Sequence, residues 1–181
     1  AFALEYFTQK NISIDTSVNS LLAKTSSKFR LKSDLVSLRH LMNHTALNMH
    51  YVKGYPLNEK MPEVQELLSA IEVIAEPGAE FHYSGGGFIL LEHIIEALEK
   101  KSIQDVTKDF LKDMSFSRFN LPDRDYAAGY FDDGSEVPGT RLMFPAFAAG
   151  AMGNAAGMAQ FLNNLIEHLT KNNLCAKNFF Y

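Results

Sequence analysis

Apolar residues recur at helical spacing in several separate stretches of the chain, and the clearest is the stretch with Phe88, Leu91, Ile95 and Leu98 on one face and Glu92, Glu96 and Glu99 spaced for solvent. That period predicts a helix from about Ser84 to Lys100. A second stripe, Met158, Phe161, Leu162, Leu165 and Leu169, predicts a final helix capped by Asn154, running to about Thr170 with those side chains facing inward. Ser37 stands before Leu38, Leu41 and Met42 as an N-cap for a compact helix to about Asn43. Pro62 suits the first turn of a helix reaching about Val73, with Val64, Leu67, Leu68 and Ile71 apolar. Ser102 and Asp105 have the spacing of a capping box and open another helix. Ala1-Phe-Ala-Leu-Glu-Tyr-Phe7 reads as the inside of an amphipathic helix with no cap before it, ending near Lys10-Asn11, so the chain is expected to begin in mid-element. Ile12 to Asp15 is expected to be extended, and Val18 to Leu22 to form a short helical turn.

Between these elements the pattern breaks. From His44 to Met61 there is no periodicity, with Gly54 and Pro56 inside, and a long surface loop bordering a site is expected. Residues 120–145 form an irregular segment punctuated by Pro122, Gly129, Gly134, Pro138, Gly139 and Pro145. The Asp-Gly pair at 133–134 predicts a small hairpin in which Tyr126 to Phe131 pairs with the stretch near Leu142. Ala146 to Gly157 is rich in small residues that let backbones approach. No repeats, low-complexity tracts or linkers interrupt the chain, which reads as one predominantly helical region over 1–181.

Composition narrows the function classes. With 46% apolar and 12% aromatic residues, an ordered core is expected. A net charge of -4 with scattered Lys and Arg argues against a nucleic-acid surface, which needs a basic stripe. No apolar run approaches the ~18 residues of a membrane span. Cys175 is the only cysteine, so no intrachain disulfide can form, and the default reading is a free core thiol.

Candidate chemistry concentrates at Glu76-Pro-Gly-Ala-Glu-Phe-His-Tyr-Ser-Gly-Gly-Gly87. Three glycines entering a helix cost about 1 kcal/mol each relative to alanine, so close backbone packing or a left-handed turn must offset them. A phosphate-cradling loop is the poorer reading, because no Gly-Lys-Ser/Thr follows. His40 and His44 have the i, i+4 spacing of a metal pair, but no glutamate adjoins the first as a zinc protease requires, and structural roles are expected. Asp132 and Asp133 lack the spaced acids of a calcium loop. No Gly-x-Ser-x-Gly elbow is present. Tyr83 remains with two readings open: a hydrogen-bonding anchor, or a base when a lysine ammonium lies beside it.

The order Leu38-Arg-His-Leu-Met-Asn-His-Thr45, then Pro77-Gly-Ala-Glu-Phe-His-Tyr-Ser-Gly-Gly-Gly-Phe-Ile-Leu-Leu91, then Pro145-Ala-Phe-Ala-Ala-Gly-Ala-Met-Gly-Asn-Ala-Ala-Gly-Met-Ala-Gln-Phe161 resembles the class C β-lactamase-like serine hydrolases. That family includes class C β-lactamases, D-alanyl-D-alanine peptidases and related esterases. The resemblance implies acyl transfer by a serine from a Ser-x-x-Lys motif, with Tyr83 in the place of the motif tyrosine that carries the serine's proton. It implies no cofactor and no metal, a small-molecule or cell-wall-peptide-like substrate, and by analogy a periplasmic or cell-surface location. No serine here lies three residues before a lysine; the nearest imitation is Thr25-Ser-Ser-Lys28. Lys-Thr-Gly and His-x-Gly are also absent after Gly157. The expectation is therefore the helical and connecting part of an α+β fold of β-lactamase/transpeptidase type, its central strands largely missing, with Ser-x-x-Lys upstream of Ala1 and this piece inactive alone. The alternative is a non-catalytic binding module. Gly85 stands where many members carry an asparagine that donates to the substrate amide, which favours ester or peptide turnover over β-lactam hydrolysis.

Overall fold

In the computed structural model the described residues are 1–51, 53–56, 58–74, 76–111, 114–116, 127–138 and 141–171. The long glycine-led helix is the axis of the core. It spans Gly85–Glu99 and is the fifth helix in order, after α1 (Phe2–Gln9), α2 (Val18–Leu22), α3 (Leu38–Met42) and α4 (Val64–Ser69). Ile89, Leu90, Leu91, Ile94 and Ile95 of this α5 are all buried, a wider face than the four-residue stripe predicts, because helices pack on it from several sides. Each such aliphatic side chain contributes about 1.5–3 kcal/mol by leaving water. α5 ends at Lys100, whose left-handed φ of 55° terminates the ladder. It is followed by α6 (Ile103–Thr107), α7 (Ala146–Ala149) and α8 (Ala155–Lys171).

The predicted caps are present. Ser37 Oγ accepts from the His40 amide, Ser102 Oγ from the Asp105 amide at 3.2 Å, and Asn154 Oδ1 from the Gly157 amide at 2.8 Å. α1 lacks a side-chain cap and is tied to the far end of α5. Tyr6 Oη donates to Glu99 Oε1 at 2.6 Å, and Lys10 Nζ pairs with the same oxygen.

Among the described residues, two antiparallel pairs of short strands accompany the helices. β1 (Lys53–Pro56) pairs with β3 (Arg141–Phe144), and β2 (Met114–Phe116) pairs with β4 (Ala151–Gly153).

Several expectations are corrected by pairings between distant segments. The 44–61 stretch is not a plain surface loop. Ala46, Leu47 and Tyr55 are buried, Leu47 bridges Val73, and the Ile74 amide donates to Ala46 O. That pairing also ends α4 at Ser69, short of the predicted Val73. Ile14 and Asp15 lie in a turn rather than an extended piece, closed by the Thr16 amide donating to Ser13 O. The Asp-Gly turn forms, but its arms are shorter than predicted: Tyr130 bridges Glu136, while Leu142 sits opposite Tyr55 of β1. Tyr126, Pro122, Gly139 and Cys175 lie outside the described residues.

The final helix departs most from its predicted packing. Met158 is 43%, Leu162 45% and Ile166 61% exposed. Phe161 and Leu165 are half-buried and border, with Phe2, Tyr6 and Phe110, a cleft of about 460 Å³. One edge of the stripe meets α1 and Phe110, and the rest of it faces water among the described residues. Leu169 has no described side chain.

Candidate active site

The site forms where the chain segment 44–51 crosses the start of α5. Ser84 is the N-cap residue, yet its side chain makes no cap bond. Its Oγ donates instead to Met49 O at 2.9 Å, and the Gly86 amide donates to the same carbonyl at 3.0 Å. One carbonyl of the crossing segment thus takes two donors from the helix entrance.

The glycines make that crossing possible. A Cβ at Gly85 would lie 1.9 Å from Tyr51 O, one at Gly86 2.8 Å from the Met49 Cβ, and one at Gly87 3.0 Å from Leu41 O. Close backbone packing is therefore the reason at Gly85 and Gly87, while at Gly86 the Met49 side chain fills the space. The left-handed residue of this region is Gly78, with φ 97°, in the turn before the tyrosine. Gly85 has no side chain to offer a substrate, and Tyr51 occupies the space one would need.

Tyr83 immediately precedes the cap. It is 54% exposed, and among the described residues its hydroxyl has no hydrogen-bond partner. An anchor tyrosine is normally buried and bonded, so this position suits an anchor poorly. The phenol is held through its ring. His44 stacks on it at 4.6 Å between centroids with 28° between planes, and His50 lies at 5.3 Å. His44 in turn meets the edge of Phe81 at 5.7 Å and lies 5.3 Å from Phe88. Its Nδ1 accepts from the Ser84 amide at 3.1 Å, and burial lowers its pKa from the ordinary histidine value.

His40 and His44 do not share a helical face. α3 stops at Met42, and His44 sits beyond it in a left-handed conformation with φ 59°. His40 Nδ1 accepts from the Ser37 amide at 3.2 Å, so each imidazole serves a different stretch of backbone, as the structural reading of the histidines expects. Thr25 to Lys28 lies in a loop, where Ser27 Oγ meets His93 Nε2 at 2.8 Å.

Sequence reasoning missed three contributors. His44 was legible only as half of a helical pair, and the Met49–Tyr51 backbone has no side-chain signature at all. Glu92 was placed toward solvent by spacing. It is 2% exposed, and its Oε2 accepts from the Phe147 amide at the start of α7 at 2.7 Å. A polar residue among five aliphatic ones, Ile89, Leu90, Leu91, Ile94 and Ile95, was the available signal.

Comparison with known proteins adds the following. A family model described as beta-lactamase matches residues 3–177. The chain is similar in structure to a penicillin binding protein from Bacillus halodurans, with a TM-score of 0.67 and 21% identity over 92% of this chain and 55% of that one. It is similar to a D-amino acid amidase from Ochrobactrum anthropi SV3 crystallised with L-phenylalanine, with a TM-score of 0.67 and 21% identity over 91% of this chain and 51% of that one. A beta-lactamase/D-alanine carboxypeptidase from Pseudomonas syringae gives a TM-score of 0.63 and 20% identity over 88% and 46%. The chain thus spans about half the length of these solved proteins, and its helices and short strand pairs match part of their fold. No curated protein matches.

Proposed function

Since the chain belongs to the beta-lactamase family, we propose that it is part of a serine hydrolase working by acyl transfer on an ester, a D-amino-acid peptide or a β-lactam, with Tyr83 as its proton carrier. The observation that carries this reading is the state of Tyr83: half-exposed, ring-clamped by His44, with its hydroxyl unpartnered among the described residues. A positioned phenol can pass a proton in both directions. As phenolate it takes the proton of the nucleophilic serine while that oxygen bonds to the substrate carbonyl carbon. As phenol it returns the proton to the departing amine or alcohol, and the same exchange with water then releases the acyl group. The serine would come from a Ser-x-x-Lys motif, which the 181 residues do not contain.

The Gly85 position favours esters and peptides over β-lactams. An asparagine donor for the substrate amide has no room beside Tyr51 O. The solved relatives are named for penicillin binding, a D-amino acid amide and D-alanine carboxypeptidation, which supports an acyl substrate built on a D-amino acid. By family analogy the protein works in the periplasm or at the cell surface.

The test is ester turnover by the full-length protein with and without Tyr83→Phe. Loss of a positioned acid/base costs about 10²–10⁴-fold in rate, and equal turnover with phenylalanine refutes the assignment. A second reading, a non-catalytic binding module of the same family, predicts no turnover from either protein.

A further inference from the structure

We propose that His44, as a neutral imidazole, is the positioning residue of Tyr83: it fixes the phenol ring on one face and the backbone entering α5 through Nδ1, so that the two move together. This rests on Tyr83 being the working group of the site.

Four observations converge on this one side chain. Its ring stacks on the Tyr83 ring at 4.6 Å with 28° between planes, a geometry that restricts the phenol's rotation. Its Nδ1 accepts from the amide of Ser84, the very next residue, at 3.1 Å. Phe81 and Phe88 flank the imidazole at 5.7 and 5.3 Å, so it cannot turn without disturbing either. And His44 is held at φ 59°, a conformation uncommon outside glycine. Its own carbonyl accepts from the His82 amide at 2.7 Å, while the Thr45 amide donates to His40 O at 3.0 Å and the Gly78 amide to Thr45 O at 2.7 Å. Those bonds over-determine a backbone that aims the ring at Tyr83.

The protonation state follows from the donor. An amide N–H pointing at Nδ1 requires a lone pair there, so the neutral ring carries its proton on Nε2. Protonating Nδ1 would set two N–H donors against each other and release Ser84. Burial lowers the imidazole pKa, which favours the neutral form. The titratable groups around it are Tyr83 and, against the Tyr83 ring, His50 at 5.3 Å. α5 contributes the uncharged Phe88, and the His82 ring lies by Glu80 at 3.4 Å.

The experiment follows the Tyr83 ring and Ser84 amide signals by NMR in the selectively labelled full-length protein from pH 8 to pH 4.5. His44→Asn keeps an acceptor and tolerates the left-handed backbone while removing the ring and its titration; His50→Gln is the control. Both signals should shift with a single midpoint below the ordinary histidine range, kept in His50→Gln and lost in His44→Asn. A midpoint that survives in His44→Asn, or vanishes in His50→Gln, overturns the proposal. In ester turnover, His44→Asn should lower kcat at least tenfold with KM within twofold, and should abolish the fall in kcat that the parent shows as pH drops through the NMR midpoint. Added to Tyr83→Phe it should cost nothing more, because two residues acting as a unit are not additive. A further tenfold loss in that background means His44 does not act through Tyr83. Should Tyr83→Phe alone retain full turnover, the functional reading fails, and the linked NMR shift still decides whether His44 positions the ring.

Discussion

Substituting alanine at Gly85 tests the crossing that shapes the site. The added Cβ would lie 1.9 Å from Tyr51 O, 2.7 Å from its carbonyl carbon and 3.1 Å from its nitrogen. Non-bonded carbon and oxygen atoms settle at roughly 3.3–3.6 Å, so the Tyr51 backbone has to retreat by about 1.5 Å. Helix propensity favours alanine over glycine by about 1 kcal/mol. Against that stands overpacking, typically 1–3 kcal/mol. Moving the strap also stretches the two donors shared by Met49 O, from Ser84 Oγ and the Gly86 amide, each with a net worth of about 0.5–1.5 kcal/mol. The balance is a loss of about 3 kcal/mol. Urea and thermal unfolding of the full-length protein with Gly85→Ala measure it. A variant as stable as the parent, or more so, would show that helix propensity governs the position and that the strap is free to yield. Gly85→Asn should be destabilised at least as much and should gain no β-lactam turnover, since its amide would displace Tyr51 rather than reach a substrate.

Other outcomes follow from groups buried in or beside the core. Glu92→Ala leaves the Phe147 amide without its carboxylate acceptor and opens a cavity, and should cost about 3 kcal/mol in urea unfolding; Glu92→Gln, which keeps an acceptor, should cost about 1 kcal/mol. A neutral result for alanine would mean that α7 docks without this bond. The His93 pKa is lowered by burial, so the unfolded chain takes up a proton at higher pH than the folded one. Stability linked to His93 is therefore complete above its unfolded value near 6.5 and declines as pH falls from there toward the folded value. His93→Gln should flatten the stability profile in that window, and an unchanged slope would remove His93 from the account.

Local pattern carried the helices and their caps because both are decided within a few residues. Ser37, Ser102 and Asn154 each serve an amide three positions ahead, and α5 announces itself by its aliphatic spacing. Pairings across the chain had no such signal. Leu142 opposite Tyr55, and Ala46 bonded to Ile74, join segments whose own sequences show no period. The apolar stripe of α8 was read correctly as a stripe, with Phe161 and Leu165 half-buried, but Met158 and Leu162 are exposed, because periodicity identifies a face and says nothing about what covers it. Ile166 at 61% exposure belongs to that face.

The candidate site divides along the same line. Tyr83 was legible as a residue type ahead of a glycine-rich helix entrance, but its two roles could not be separated until its exposure and hydroxyl environment were known. What sets its geometry comes from a stretch read as a featureless loop. His44 supplies a ring and a lone pair, Met49 a carbonyl, and Tyr51 the backbone that excludes a side chain at Gly85. The glycines and the strap are two halves of one constraint. The helix entrance gives up side chains at 85–87 so that the Tyr51 and Leu41 backbone and the Met49 side chain can lie against it, and in exchange the strap anchors the entrance through the Met49 carbonyl and the His44 imidazole. The stability lost by three glycines in a helix is thus recovered in hydrogen bonds and packing at the point where the phenol must be held still. That coupling explains why the least helix-favouring stretch of α5 is also one where backbone from outside bonds to it directly.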